Sequence, residues 1–214
     1  MEILKALKNI ELFKNLNDCE LNEIKKFMSD IKYYPSRTTI FNVGDKINNF
    51  GILLSGQIEL AIDDDFGNKT ILSKLSAPAL FAESVLIQNI EEIPLSVEST
   101  VYTEVIFFDY NSFKESSSIS KEKVNDNLIK ILANKNLFMR DKLNLLSLPS
   151  TRAKILYFLS NESRKNHSKY FTIDFNITEL AQFLNLNRSS LSRELSKLKK
   201  EGLIDYDNKT FRIL

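Results

Sequence analysis

The segment from Tyr33 to Phe113 most constrains the fold, because it breaks into short apolar or alternating runs separated by turn-forming residues. The runs are TTIFNV, NFGILLSG, QIELAID, KTILSKL and TEVIFFD, and the turn signals are Gly44-Asp45, Ser55-Gly56, DDDFGN and APA. Short strands at this spacing are typical of an antiparallel sandwich or barrel. We expect the glycines of this segment at tight strand reversals that need a positive φ angle; they are Gly44, Gly51, Gly56 and Gly67.

Helical patterns flank this segment on both sides. Residues 1–30 are predicted to be helical, with Asn17 and Glu20 spaced as a capping box. Residues 119–147 predict one long helix without proline, because apolar residues recur there at helical intervals; they are Val124, Leu128, Ile131, Phe138 and Leu145. This helix either packs on its own domain or pairs with a second copy as a short coiled coil. We expect pairing, although Lys135 and Lys142 interrupt the heptad.

The C-terminal stretch NITELAQFLNLNRSSLSRELSKLKKEGLI predicts two helices joined by a tight turn. Asn176 and Asn187 are the expected helix caps, and Asn185 is expected in the left-handed turn. The second helix has an apolar stripe and an opposite face of serines and basic residues, and Gly202 is expected just past its end. The remaining residues predict a hairpin, or wing, around Asp207-Asn208-Lys209.

Charge separates the two ends of a chain that is nearly neutral overall. Residues 1–149 carry a net charge of −4 and residues 150–214 a net charge of +5, so the C-terminal end is the candidate for a polyanionic partner. A helix with an apolar back and a front of serines and arginines suits the major groove of DNA. With one cysteine and one histidine, the chain offers no intrachain disulfide, zinc site or His-based catalytic set, and we predict that it is not an enzyme.

The order of sheet domain, long helix and winged helix-turn-helix, with LNLNRSSLSREL at the recognition helix, resembles the CRP/FNR family of bacterial transcription regulators. VGD at 43–45 and the following LLSGQIEL are similar to that family's cyclic-nucleotide-binding β-roll. The resemblance implies an α+β fold with an N-terminal β-roll (jelly roll), a long dimerisation helix and a C-terminal winged helix-turn-helix. The predicted domains are residues 1–118, 119–147 and 148–214.

By this resemblance, Arg188 and Arg193 take the places of arginines that family members use against phosphate and guanine. Ser189 departs from the family pattern, because members that read a TGA-containing half-site usually carry glutamate there. The predicted DNA-binding residues are Asn176, Thr178, Asn187, Arg188, Ser189, Ser190, Ser192, Arg193 and Lys197.

The stretch FAESVLIQNIEEIPLS is similar to the ligand-binding cassette of the β-roll. Members that bind cyclic AMP hold the ribose with a glutamate, here Glu83, and the phosphate with an arginine, here replaced by Ile93. A buried phosphate without a cation keeps its desolvation cost and loses its strongest hydrogen bonds, so we do not expect cyclic AMP to bind. The predicted effector pocket comprises Phe81, Glu83, Ser84, Ile93, Pro94, Leu95, Ser96, Met139 and Arg140.

Three occupants of this pocket stay open: a ligand with an apolar body, a haem that senses a gas, or the protein's own side chains. Axial ligands for haem are limited to Met28, Met139, Cys19 and the distant His167.

The resemblance implies a homodimer that binds double-stranded DNA at a near-palindrome, with RNA polymerase as a further partner if the protein activates transcription. No apolar stretch reaches the roughly 18 residues of a membrane span, so we expect no membrane association and a cytoplasmic location. The alternatives are a constitutive regulator without effector, or a regulatory subunit that acts through protein contacts.

Overall fold

The computed structural model describes residues 2–63 and 69–214. These residues form two compact units, one comprising residues 2–62 and 72–136 and the other residues 63, 69–71 and 137–214. The three domains at 1–118, 119–147 and 148–214 stay a prediction, because compactness alone does not separate the long helix from the segments it packs against.

Helices open the first unit, as predicted from its capping signals. They are α1 (Glu2–Lys8), a 3-10 turn (Glu11–Phe13), α2 (Asp18–Ile24) and a second 3-10 turn (Lys25–Phe27). The capping box is confirmed: the Glu20 N–H donates to Asn17 Oδ1 at 2.9 Å, and the Asn17 N–H donates to Glu20 Oε2 at 2.8 Å. Two otherwise unpaired helical N–H groups are thereby satisfied.

The β-rich segment forms two antiparallel sheets, which confirms the predicted sandwich-like architecture. Its strands are β1 (Lys32–Tyr34), β2 (Thr38–Phe41), β3 (Phe50–Ser55), β4 (Gln57–Asp63), β5 (Lys69–Ser76), β6 (Ala79–Phe81), β7 (Ser96–Ser99) and β8 (Thr103–Phe108). One sheet has the order β1-β8-β3-β6 and the other the order β2-β7-β4-β5. Short helices α3 (Glu83–Ile87) and α4 (Tyr110–Glu115) follow β6 and β8. The turn predicted for DDDFGN falls on residues 63–68, of which 64–68 lie outside the described residues.

Gly51 corrects one expectation about the glycines. It lies inside β3 opposite Phe107, rather than at a strand reversal. A Cβ atom at this position would collide with the Phe81 ring. Gly51 therefore makes room for an aromatic ring, whereas Gly56, at φ +86°, does occupy the tight turn between β3 and β4.

Helix α5 (Lys121–Leu146) confirms the predicted long helix, but four of the five residues of its predicted pairing stripe face inward, and the fifth, Phe138, is 36% exposed. Val124, Leu128 and Ile131 are 0–7% exposed and pack in the core of the first unit, and Leu145 packs in the core of the second. Lys135 and Lys142 continue this inward stripe at intervals of three and four residues, so they do not interrupt a seam for a second copy.

The second unit holds the C-terminal elements. They are α6 (Thr151–Lys165), β9 (Tyr170–Thr172), α7 (Ile177–Phe183), α8 (Arg188–Lys200), β10 (Ile204–Asp207) and β11 (Thr210–Ile213). The predicted wing hairpin is present, and Asn208 takes the left-handed conformation in its turn at φ 52°. The hairpin is joined by β9 in a sheet of order β10-β11-β9, which the polar sequence before Tyr170 did not predict. Among the helices of residues 2–63 and 69–214, none combines the length and apolarity that crossing a lipid bilayer requires.

Candidate nucleic-acid interface and sensor site

The tight turn between α7 and α8 is built by local asparagine chemistry, as predicted. The Glu179 N–H donates to Asn176 Oδ1 at 3.0 Å, and the Asn176 N–H donates to Glu179 Oε2 at 2.7 Å, so α7 begins in a capping box. Asn185 ends it in the left-handed conformation at φ 50°. The chain can therefore reverse into α8 within four residues.

Both ends of α8 lie at the predicted residues, although the predicted N-cap residue makes no side-chain cap. Asn187 occupies the N-cap position in extended conformation, but its side chain makes no capping hydrogen bond. At the other end, Gly202 has φ +72°, and the Leu203 N–H donates to the Leu198 carbonyl at 3.1 Å. This 6→1 bond is the Schellman stop predicted from the sequence.

Helix α8 has one buried and one exposed face. Leu191, Leu195 and Leu198 have no exposed surface and anchor the helix to the core of the second unit. The opposite face is exposed and carries hydroxyl and basic groups: Ser189, Ser192, Arg193, Ser196, Lys197 and Lys200. This face has the small size and donor-rich character needed to approach base edges and phosphates.

Ion pairs on the flanks of α8 hold its acidic residues away from this face. Arg152 on α6 lies 3.4 Å from Glu194 and 2.5 Å from Glu201, and its hydrogen bond lowers the pKa of the Glu201 carboxyl. Lys199 is held by Asp205 of the wing at 2.6 Å. Within residues 2–63 and 69–214, no ion pair neutralises four other basic residues of α8, namely Arg188, Arg193, Lys197 and Lys200.

The structure brings most of the predicted DNA-binding residues to exposed positions of α7 and α8. Asn176 and Thr178 are exposed at the start of α7, and Asn187 and Arg188 are exposed at the start of α8. Ser190 is half-buried beside the apolar stripe. The Arg193 Nε donates to the Ser189 carbonyl at 3.2 Å, which holds the guanidinium along the exposed face.

The sensor cassette begins with a buried carboxylate at the start of α3. Glu83 is 2% exposed, and the preceding Ala82 takes the left-handed conformation at φ 63° that glycine adopts more readily. Glu83 Oε2 is buried and has no hydrogen-bond partner among the described residues. An acceptor of this kind is costly to bury unless a donor reaches it.

Lys135 of α5 supplies the cation that the cassette itself lacks. Its Nζ lies 2.7 Å from Glu83 Oε1 and donates to the Leu80 carbonyl at 2.8 Å. Sequence reasoning missed this residue, which it treated as a break in the heptad. The sequence carries no local signal for this pair, because Glu83 and Lys135 are 52 positions apart.

Apolar side chains fill the position where the resemblance places the phosphate. Ile93 has no exposed surface and packs in one core cluster with Phe81, Val85 and Val97. Its backbone is paired with the loop at Gly44 and Asp45 by hydrogen bonds of 2.9 Å.

The other predicted pocket residues lie at or near the surface. Leu95 and Ser96 are half-buried, with Ser96 Oγ donating to the Ala61 carbonyl at 3.2 Å, while Ser84 and Pro94 are exposed. On α5, Met139 is exposed, and the exposed Arg140 pairs with its neighbour Asp141 at 3.0 Å.

The candidate axial ligands give haem little support. A haem iron is held by an axial side chain such as His, Cys or Met, and the burial of that site tunes its chemistry. Cys19 on α2, His167 in the turn after α6 and Met139 are exposed, and Met28 is half-buried against the core with α1 and α2. No group of three or more His, Cys, Asp or Glu residues in the described part of the chain is arranged to hold a metal.

Two family profiles match the chain, one in its N-terminal half and one at its C-terminal end. The profile of the cyclic nucleotide-binding domain matches residues 31–117, and that of the Crp-like helix-turn-helix domain matches residues 153–214. The first covers the two sheets and the cassette, and the second covers the helix-turn-helix and wing.

Similar proteins cover nearly the whole chain. The cAMP-activated global transcriptional regulator CRP of Salmonella typhimurium is 23% identical over 184 residues, which are 84% of this chain and 87% of that protein. The c-di-GMP responsive global regulator CLP of Xanthomonas campestris shares the fold with a TM-score of 0.78 and 18% identity, over 92% of this chain and 99% of that chain. CprK complexed with OCPA shares it with a TM-score of 0.72 and 16% identity, over 91% and 90%.

The matched profiles name both a nucleotide-binding-type sensor and a DNA-binding module, and the similar proteins are named as regulators rather than enzymes. With the sheet domain, long helix and winged helix-turn-helix in the same order, the chain belongs to the CRP/FNR family of transcription regulators.

Proposed function

We propose that this protein acts as a homodimer that binds a near-palindromic operator and is controlled by a signal at the β-roll other than cyclic AMP. The observation that carries the proposal is the exposed face of α8 together with the start of the helix, where four basic residues lie outside any ion pair of the described structure. Positive charge of this kind supplies affinity for phosphates, while Arg193 and the serines supply contacts to base edges.

The Arg193→Ala variant tests sequence reading directly. We expect its affinity for the operator, selected from a genomic library, to fall by about tenfold to a hundredfold, because a bidentate contact to guanine is lost. Affinity for random DNA is expected to fall much less. Arg164→Ala, which removes an exposed arginine on α6, is the matched control and should leave both affinities unchanged. An unaltered ratio of operator to random-DNA affinity in Arg193→Ala would remove this residue from sequence reading.

The dimer proposal rests on the outward face of α5. A heptad with apolar residues at both seam positions and one asparagine runs along this face: Ile129, Leu132, Asn136, Met139, Leu143 and Leu146. Leu132 and Leu146 are half-buried at its edge, and Leu132 also packs against the core of the first unit. Ile129 is 64% exposed and Leu143 is 68% exposed, whereas an apolar stripe of a helix normally faces a core that covers it. A second copy of α5 is the partner that such a 3.5-residue repeat fits, and a single asparagine at a seam position favours one register.

Leu143→Asp is expected to weaken the dimer. A carboxylate at the seam would be buried without a cation, so the dissociation constant should rise at least about thirtyfold, measured by sedimentation equilibrium. Leu137→Asp makes the same change at an exposed position of α5 outside the seam, and we expect it to stay dimeric. A Leu143→Asp protein that dimerises as tightly as the wild type would refute this seam.

Cyclic AMP and cyclic GMP are expected to give no saturable heat below millimolar concentration in isothermal titration calorimetry. Ile93 fills the position that corresponds to the phosphate-binding arginine, and Lys135 is already engaged by Glu83 and Leu80. A micromolar isotherm with either nucleotide would refute this expectation. Full operator affinity of the protein without any added ligand would instead support the alternative of a constitutive regulator.

A further inference from the structure

A second pocket lies in the β-roll beside the loop that joins β2 to β3. It has a volume of about 310 Å³, and its aromatic wall is formed by Tyr34, Phe41 and Phe107. The Phe41 and Phe107 rings meet edge to face with their centroids 5.6 Å apart. A volume near 300 Å³ is the lower limit of the usual range for small-molecule sites.

Two cations stand at this aromatic wall. The Lys32 Nζ lies 5.0 Å from the centroid of the Phe107 ring, and within the described residues it has no carboxylate partner. The Lys46 Nζ lies 3.7 Å from Glu91, but both side chains are more than two-thirds exposed, so this pair is weak. Neither lysine is held by a strong ion pair, so both ammonium groups can pair with an anion in the pocket.

Polar groups around the pocket are left without partners. The side chains of Asn48 and Asn49 line the pocket, and so does the half-buried Tyr34 hydroxyl, whose pKa is raised by burial. None of these three side chains makes a hydrogen bond to another described residue. Such groups orient a ligand in sites that are otherwise apolar.

We infer that this pocket binds a small anion that carries a planar ring, such as an aryl carboxylate or an aryl phosphate. The ring lies against Phe41 and Phe107, where offset or edge contacts are favourable. The anionic group meets the ammonium groups of Lys32 and Lys46 and the neighbouring amides.

The pocket is also placed to affect the cassette. Phe81, which precedes Ala82 and Glu83, packs its ring 5.9 Å from Phe41 and 6.4 Å from Phe107. A ligand that moves either wall residue must move Phe81, because that ring is packed between the wall and the backbone at Gly51, where even a Cβ atom would collide with it. Ligand binding itself does not depend on the protein's action on DNA. An effect of the ligand on DNA binding, transmitted through Phe81 and the cassette, rests on the proposed function.

Calorimetry on the full-length protein tests the site with benzoate and phenyl phosphate, which separate the carboxylate from the phosphate. We expect at least one of them to bind with a dissociation constant on the order of 0.1–1 mM, as suits a ligand of about ten heavy atoms. Inorganic phosphate, which lacks the ring, and benzyl alcohol, which lacks the charge, should each bind at least about tenfold more weakly.

Variants then locate the site. Lys32→Met should weaken binding of the aryl anion about tenfold through loss of a charged hydrogen bond, and Tyr34→Phe should weaken it less. Lys26→Met, at an exposed lysine outside the pocket, should bind as the wild type does. No saturable heat with either aryl anion, or an unchanged affinity in Lys32→Met, would overturn the inference. Operator affinity measured on the same samples tells its failure apart from a failure of the proposed function.

Discussion

Replacing Lys135 with methionine is expected to destabilise the first unit by about 3 kcal/mol at pH 7, because it leaves the Glu83 carboxylate buried without a cation. Glu83 is 2% exposed, and one of its oxygens already has no partner in the described structure. The substitution also removes the hydrogen bond that the Lys135 Nζ donates to the Leu80 carbonyl. Urea unfolding followed by circular dichroism gives the free energy, since the chain has no tryptophan to report by fluorescence.

A double-mutant cycle separates the charge from the packing. Lys135→Met combined with Glu83→Gln should recover part of the loss, because a neutral amide is cheaper to bury than an unpaired carboxylate. Lys123→Met is the matched control, since Lys123 also pairs with a nearly buried carboxylate, Glu20, at 2.7 Å. In this variant Glu20 still accepts a hydrogen bond from the Asn17 N–H, so Lys123→Met should lose less stability than Lys135→Met. If Lys135→Met has the same free energy of unfolding as the wild type, the Glu83–Lys135 pair does not stabilise the first unit.

The second large effect concerns Lys142, whose burial in the second unit lowers the pKa of its ammonium to about 7. Lys142 is 7% exposed, its Nζ donates to the Phe183 carbonyl at the end of α7, and it lies 3.0 Å from the centroid of the Phe183 ring. It also donates to the Ile71 carbonyl at 3.4 Å. The carbonyl at a helix C-terminus favours the cation, but loss of hydration opposes it more strongly.

This lowered pKa makes the stability of the protein depend on pH. Between about pH 7 and pH 10.5, the unfolded chain holds a proton that folded Lys142 has released, so the free energy of unfolding rises with pH. The slope approaches 1.4 kcal/mol per pH unit, or roughly 3 kcal/mol between pH 7 and pH 9.5. Below pH 7 both states are protonated, and this contribution to the slope disappears.

Comparison with Lys142→Met isolates this slope from other titrating groups. The wild type should gain stability relative to the variant as pH rises from 7 to 9.5, in urea unfolding at each pH. Lys169→Met, at an exposed lysine of the same unit, should run parallel to the wild type. Titration of the Lys142 side chain by NMR with a midpoint near 10.5 would contradict the expected behaviour.

The candidate site was partly predictable, and the limit has a definite cause. Glu83, Ile93 and the residues of α8 were recognised from short motifs, because each motif lies within a few consecutive residues. Lys135 was not, because its partner Glu83 lies 52 positions away and local spacing does not encode such a pair. The pocket at Lys32 and Lys46 could not be predicted from the sequence for the same reason, since β1, β8 and the β2–β3 loop meet only in the folded protein.

The sequence by itself determined the local architecture: alternating runs for the sheets, a continuous periodic stretch for α5, and asparagine and glycine signals for the turns around α7 and α8. These features follow from backbone conformation and hydrophobic periodicity within a few residues. Only the tertiary structure decided which stripe of α5 faces the core. It also decided that the Phe81 ring occupies the space that a Cβ atom at Gly51 would need, and that Lys135 neutralises Glu83. Burial and pairing between distant segments depend on which surfaces meet, and an apolar stripe has the same pattern whether its own domain or a second copy covers it.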